Sequence, residues 1–144
     1  MFSRTILIGI SFSLLAVVEA HAQEDLSSAL KSETCKKVGM AAAAVVTLRD
    51  SGATTEVATA VMNAGAPEAD PSRPLLLQIV KDVYKFKELS IHSHRMYRWL
   101  SCANQSLGKN TKDLEKLAPE LKKCQALSNQ QTQINCMAGV VNET

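Results

Sequence analysis

Apolar residues in this chain recur at steps of three and four, the period of a helix, and not at steps of two. Cys35, Val38, Ala42, Val45 and Val46 fall on one helical face, which predicts a first helix from about Leu26 to Asp50. Within it, "MAAAAVV" (Met40 to Val46) carries small side chains that let a neighbouring helix come close. "LRDSG" closes it, with Gly52 suited to the left-handed position after a helix end. "TTEVATAVMNAG" (Thr54 to Gly65) predicts a short second helix capped by Thr54, with Val57, Val61 and Ala64 as its apolar edge. "APEADPSRP" (Ala66 to Pro74) holds three prolines and predicts an exposed, turn-rich connection.

Leu75 to Leu89 predicts a third helix with Pro74 near its start and a core stripe of Leu76, Ile79, Val80 and Val83, continued by Tyr84 or Phe86. Ser90 is positioned to cap a fourth helix that ends near Gly108. Leu114, Leu117, Leu121, Cys124 and Leu127 share helical spacing, but Pro119 interrupts them, which predicts a kink or two short helices with Pro119 opening the second. Ser128 to Val141 predicts a last helix carrying Ile134, Met137 and Val141. No alternating run of β-branched and aromatic residues is bounded by turns. The expected fold is all-α: a compact bundle of about five to six helices stapled by disulfides.

The N-terminus follows a different pattern. Arg4 precedes the apolar run Ile6 to Val18, and Ala20-His21-Ala22 offers small residues at the positions a signal peptidase reads. The run is 13 residues long, short of the roughly 20 that span a bilayer. Residues 1–22 are therefore expected to be a cleaved signal peptide, and residues 23–144 a single helical domain of an exported, periplasmic protein without stable membrane insertion.

Export changes the reading of the cysteines. Cys35, Cys102, Cys124 and Cys136 form an even set in an oxidising compartment, which favours disulfides over a metal site; no CxxC pair is present. Four cysteines allow three pairings, and sequence alone does not choose among them. The favoured one joins Cys35 to Cys102, both on or near buried helix faces, and Cys124 to Cys136.

Charge is uneven. Residues 23–72 carry a net −3, whereas residues 73–123 carry eleven Lys/Arg against five Asp/Glu, a net +6. A basic half attracts an acidic protein, a nucleic acid or an anionic surface. In an exported small domain the expected partner is a protein, with no nucleic acid.

The candidate chemistry is concentrated in "IHSHRMYRWLSC" (Ile91 to Cys102). Wound at about 100° per residue, Met96, Trp99, Leu100, Ala103 and Leu107 gather on a core face, and His94, Arg98, Ser101 and Gln105 on the opposite side. His92 falls on the apolar face and His94 about 160° away, so the two do not share a metal on a helix. Cys102 has His94 and Arg98 at i−8 and i−4, which raises a thiolate nucleophile, but disulfide formation competes for it. An enzyme using Cys102 or His92 is thus the least favoured alternative. GxSxG, HExxH and a glycine-rich phosphate loop are absent from the sequence. Arg49 lies in phase with Cys35, Ala42 and Val45, and needs the carbonyls of its own last turn or an acid from another helix, with Asp50 as the local counterpart. No catalytic residue, metal or cofactor is expected. His94, Arg95, Tyr97 and Arg98 are the expected partner-binding edge.

Cys35, "LRDSG" at 48–52, "IVKDVY" at 79–84 and "WLSC" at 99–102 together resemble a broad set of small exported bacterial proteins. These share an early cysteine, an Arg-Asp-x-Gly helix end, a Val-Tyr pair and a later cysteine. The resemblance covers residues 35–102, implies a helical domain with Cys35 paired to Cys102, and carries no activity. Beyond Gly108, "KKCQALSNQQTQINCMAGVV" is similar to a Cys-loop-Cys-x-x-Gly element of periplasmic immunity proteins of type VI secretion systems. The expected function is a non-catalytic periplasmic protein that binds another protein, in an immunity or inhibitor-like role. A periplasmic stress protein or holdase is the alternative.

Overall fold

A computed structural model describes residues 28–142; the signal-peptide expectation and the start of the first predicted helix lie outside them. The described residues form six helices of two turns or more and no strand: α1 Glu33–Asp50, α2 Thr55–Gly65, α3 Arg73–Lys85, α4 Ile91–Ser106, α5 Leu114–Gln125 and α6 Gln130–Asn142. The all-α bundle expected from the periodicity is what the chain forms. No helix among the described residues is long and apolar enough to cross a membrane.

Local chemistry sets the helix ends. Thr54 accepts the backbone N–H of Val57, and Ser90 that of Ser93, each filling one of the donors that a helix start leaves free. Gly52 (φ 89°) and Gly108 (φ 70°) stop α1 and α4. In both stops the glycine N–H and the next N–H turn back onto the last helical turn: Gly52 to Arg49 and Ala53 to Leu48, Gly108 to Gln105 and Lys109 to Asn104.

Three local expectations are corrected. α1 does not run unbroken from the N-terminal side; Lys31 and Ser32 separate it from a helical turn at 28–30. α2 is rotated: Val57, Val61 and Ala64 are exposed, and Ala58 is the buried residue. Apolar side chains occur all round α2, so its sequence leaves the inward face open, and Ala58 lets α1 and α3 come nearest. Of the two expectations at Pro119, two short helices are excluded: α5 runs unbroken through it. Its ring and the carbonyl it leaves without a helical N–H lie on the exposed side, while Leu114, Leu117, Ala118 and Leu121 hold the opposite face in the core.

The buried residues divide into two clusters. Ala42, Val45, Val46, Ala58, Ile79, Val80 and Val83 join α1, α2 and α3. Leu89, Tyr97, Leu100, Leu114, Leu117, Leu121, Cys124, Met137 and Val141 join α4, α5 and α6. The seam between the halves is α1 against α4. There Gly39 allows close approach, since a Cβ on it would stand 3.2 Å from both the Arg95 carbonyl oxygen and Trp99 Cβ.

Two disulfides complete the frame. Cys35–Cys102 ties the seam across 67 residues of chain, and Cys124–Cys136 ties α5 to α6 across 12. This is the favoured pairing of the three. In the chain-entropy picture the first is worth about 4 kcal/mol and the second about 3 kcal/mol.

Candidate functional site

α3 ends at Lys85, and the five residues Phe86–Ser90 lead into α4. A helix end followed by a short turn presents several carbonyls and few donors. Side chains from three other helices supply the donors. Arg49, from α1, donates Nη1–H to the Val83 carbonyl at 3.3 Å and reaches the Leu89 carbonyl through Nη1 at 3.5 Å and Nη2 at 3.4 Å. His94, from α4, binds the Phe86 carbonyl through Nε2 at 3.1 Å. Gln125, from α5, donates to the Glu88 carbonyl at 2.8 Å, and its Oε1 accepts the Ser90 N–H and the Ser93 hydroxyl. The turn is therefore clamped from both halves of the fold.

Of the roles expected of Arg49, only the local one, with Asp50, is taken up. It bonds the carbonyls of another helix end, and its carboxylate partner is the adjacent Asp50, at 2.8 Å. That arrangement places an always-charged group at a carbonyl-rich terminus, where the helix dipole favours it.

His94 is only 1% exposed. A carbonyl accepts and never donates, so Nε2 carries the hydrogen of a neutral imidazole. Burial lowers the His94 pKa to about 4; the Phe86 hydrogen bond opposes this, and the nearby Arg49 and Arg98 guanidiniums add to it. At neutral pH the ring is an uncharged structural donor.

Arg98 pairs with Asp82 of α3, and Asp82 also accepts an amide hydrogen of Gln78 at 2.9 Å. The two ionised side chains are 11% and 15% exposed. The guanidinium carbon stands 5.3 Å from the Tyr97 ring centroid. Tyr97 is buried and donates its hydroxyl to the Lys112 carbonyl at 3.2 Å; burial raises its pKa.

The water-facing side expected for α4 is corrected accordingly. His94, Arg98 and Ser101 are buried, together with Tyr97. His92, expected on the apolar face, is exposed, and Met96 and Trp99 are only half-buried. Trp99 instead sends its indole N–H to the Leu30 carbonyl at 3.0 Å, tying down the segment before α1. Of the four expected partner-binding residues, Arg95 alone is exposed. The reason is that α4 is central. α1 covers one side, α5 and α6 cover another, and the Phe86–Ser90 turn covers a third. A single-face reading suits a helix packed from one direction.

Cys102 is bonded to Cys35, so its sulfur is a disulfide sulfur and not a thiolate. No cysteine among the described residues is free, and no group of three or more His, Cys, Asp or Glu among them could hold a metal ion.

Beside the Arg98–Asp82 pair lies an open groove of about 600 Å³. Gln78, Lys81, Asp82, Lys85 and Phe86 form its α3 wall; Tyr97, Arg98 and Gln105 come from α4; Thr111, Asp113, Leu114 and Glu115 close it from the α4–α5 connection and the start of α5. Lys85 and Glu115 bridge it at 2.9 Å, and Gln105 donates to Thr111 at 3.3 Å. The lining is mostly polar. Asp82, Gln78, Thr111 and Gln125 were not singled out by sequence, because isolated polar residues at helix-surface spacing give no signal of convergence.

No known protein family, curated protein or solved structure matches this chain.

Proposed function

We propose that the mature chain is a non-catalytic periplasmic protein that binds another protein, with an immunity or inhibitor-like role as the most concrete form. The observation that carries this reading is the occupation of the reactive side chains of Ile91–Cys102. His94 holds the Phe86 carbonyl, Tyr97 the Lys112 carbonyl, Arg98 the Asp82 carboxylate and Cys102 the Cys35 sulfur. Groups engaged in this way make a rigid scaffold. Two disulfides fit an exported chain. The rigid scaffold leaves an open polar groove and a basic half, which suit recognition better than reaction.

The test uses the mature, oxidised protein against purified exported toxins and envelope hydrolases encoded near it. Calorimetry is expected to find one partner bound more tightly than micromolar and inhibited on binding. A full panel with no such partner rejects the reading.

A holdase role is the second reading, favoured by the exposed apolar side chains Met40, Val57 and Val61, which are 62%, 49% and 45% exposed. Its test is suppression of aggregation of an acid-denatured client. Loss of structure at low pH without client protection removes it.

A further inference from the structure

The charged side chains that line the groove balance: Lys81, Lys85 and Arg98 against Asp82, Asp113 and Glu115. Four of them are spent on one another, Arg98 with Asp82 and Lys85 with Glu115. Lys81, on the α3 wall, and Asp113, at the start of α5, are exposed and have no ion-pair partner among the described residues. Asp113 stands at the N-cap position of α5, yet its carboxylate accepts no capping hydrogen bond. One cation and one carboxylate, on different walls, are left over.

The groove also keeps neutral hydrogen-bonding capacity. Arg98 is 9% exposed, and its bond to Asp82 uses Nη2; its other guanidinium N–H groups have no hydrogen-bond acceptor among the described residues. Such a guanidinium, fixed by one carboxylate, has the rest of its donor fork for a second acceptor. Thr111 accepts from Gln105 and keeps its O–H to donate, and Gln78 donates to Asp82 and keeps its carbonyl oxygen to accept.

An occupant that complements this pattern carries both signs and no net charge. A net acid brings a like charge to Asp113, and a net base does the same at Lys81. Donors and acceptors between the two charged ends match a peptide backbone, which a single amino acid lacks.

We infer that the groove between α3, α4 and α5 binds a short peptide with free ends. Its carboxylate meets Lys81, its ammonium meets Asp113, and its backbone carbonyls take the open N–H groups of Arg98. The groove's volume, about 600 Å³, falls within the range of small-molecule sites, roughly 300–1,000 Å³. This site goes beyond the protein-binding reading above and does not rest on it.

The probe is triglycine, titrated into the full mature, oxidised protein and followed by amide chemical shifts. N-acetyl-triglycine, triglycine amide, the doubly blocked peptide and free glycine are the comparisons. Triglycine is expected to move Lys81, Arg98, Thr111 and Asp113. Blocking either end is expected to weaken binding about threefold or more, the size of an exposed ion pair. Glycine is expected to bind more weakly than triglycine. Lys81→Gln is expected to erase the difference between triglycine and its amide while keeping the preference for a free ammonium, and Lys81→Arg to restore it. Asp113→Asn is expected to erase the preference for a free ammonium and keep that for a free carboxylate. Melting temperatures of these variants are expected to match the parent's, since both side chains are exposed.

No shift at these residues at any soluble peptide concentration, shifts that map elsewhere, equal binding of the doubly blocked peptide, or glycine bound as tightly as triglycine each overturn the assignment. Any of these outcomes leaves the protein-binding reading standing, because that reading is tested on the partner panel.

Discussion

His94 Nε2 stands 3.1 Å from the Phe86 carbonyl oxygen, eight residues back in the chain and at the junction of the two halves of the fold. Burial, with the Arg49 and Arg98 guanidiniums adding to it, requires a neutral ring at this position, although the bond itself favours the charged form.

That requirement makes stability pH-dependent. The folded pKa of about 4 lies below the ordinary 6.5, so the unfolded chain binds the proton more readily. The contribution is fully present above about pH 6.5 and is lost as the pH falls toward 4. Its size is about 3 kcal/mol by linkage. Urea unfolding between pH 7 and pH 4.5 is expected to show this fall. His94→Gln keeps an amide donor for Phe86 but does not titrate, so its slope in that window is expected to be flatter. A slope equal to the parent's excludes His94 as the group responsible.

Arg98 and Asp82 form a second tie between α3 and α4. Removing one charge leaves the other partly buried without its partner, so Asp82→Asn is expected to cost about 3 kcal/mol. Replacing both, as Asp82→Leu with Arg98→Met, is expected to cost less than the single change. A double-mutant cycle by urea unfolding measures the coupling, and strictly additive effects exclude it.

Gly39 sets the α1–α4 distance. A Cβ there meets a backbone oxygen and another Cβ at 3.2 Å, neither of which can rotate away. Alanine favours a helix by about 1 kcal/mol over glycine, yet overpacking a tight seam costs about 1–3 kcal/mol. Gly39→Ala is expected to be neutral to mildly destabilising and Gly39→Val clearly worse, read as an ordered fall in melting temperature. A valine variant as stable as the parent shows that the helices separate freely.

The two disulfides differ in the length of chain they close. Replacing Cys35 and Cys102 together by serine is expected to cost about 4 kcal/mol, and replacing Cys124 and Cys136 about 3 kcal/mol. Thiol titration of the oxidised protein in denaturant is expected to find none, and four after reduction. Two reactive thiols before reduction exclude one of the bridges.

Much of this architecture was legible in the chain. The three-and-four spacing of Ile79, Val80 and Val83 sets the inner face of α3, and Thr54, Ser90, Gly52 and Gly108 mark helix ends, because caps and glycine turns act over a few neighbouring residues. The candidate site was less legible. Arg49, His94 and Gln125 lie far apart in sequence and converge on one turn, and nothing in their local spacing announces it.

The sequence by itself determined that the chain is helical, where most of its helices stop, and that four cysteines favour covalent closure. The tertiary structure alone decided which face of α2 turns inward and that α4 is enclosed from several sides. It also decided that His94 and Arg98 serve the interior. The division has a physical cause. Periodicity and capping are local, whereas burial of a polar side chain depends on the carbonyls, carboxylates and neighbouring helices that folding brings to it.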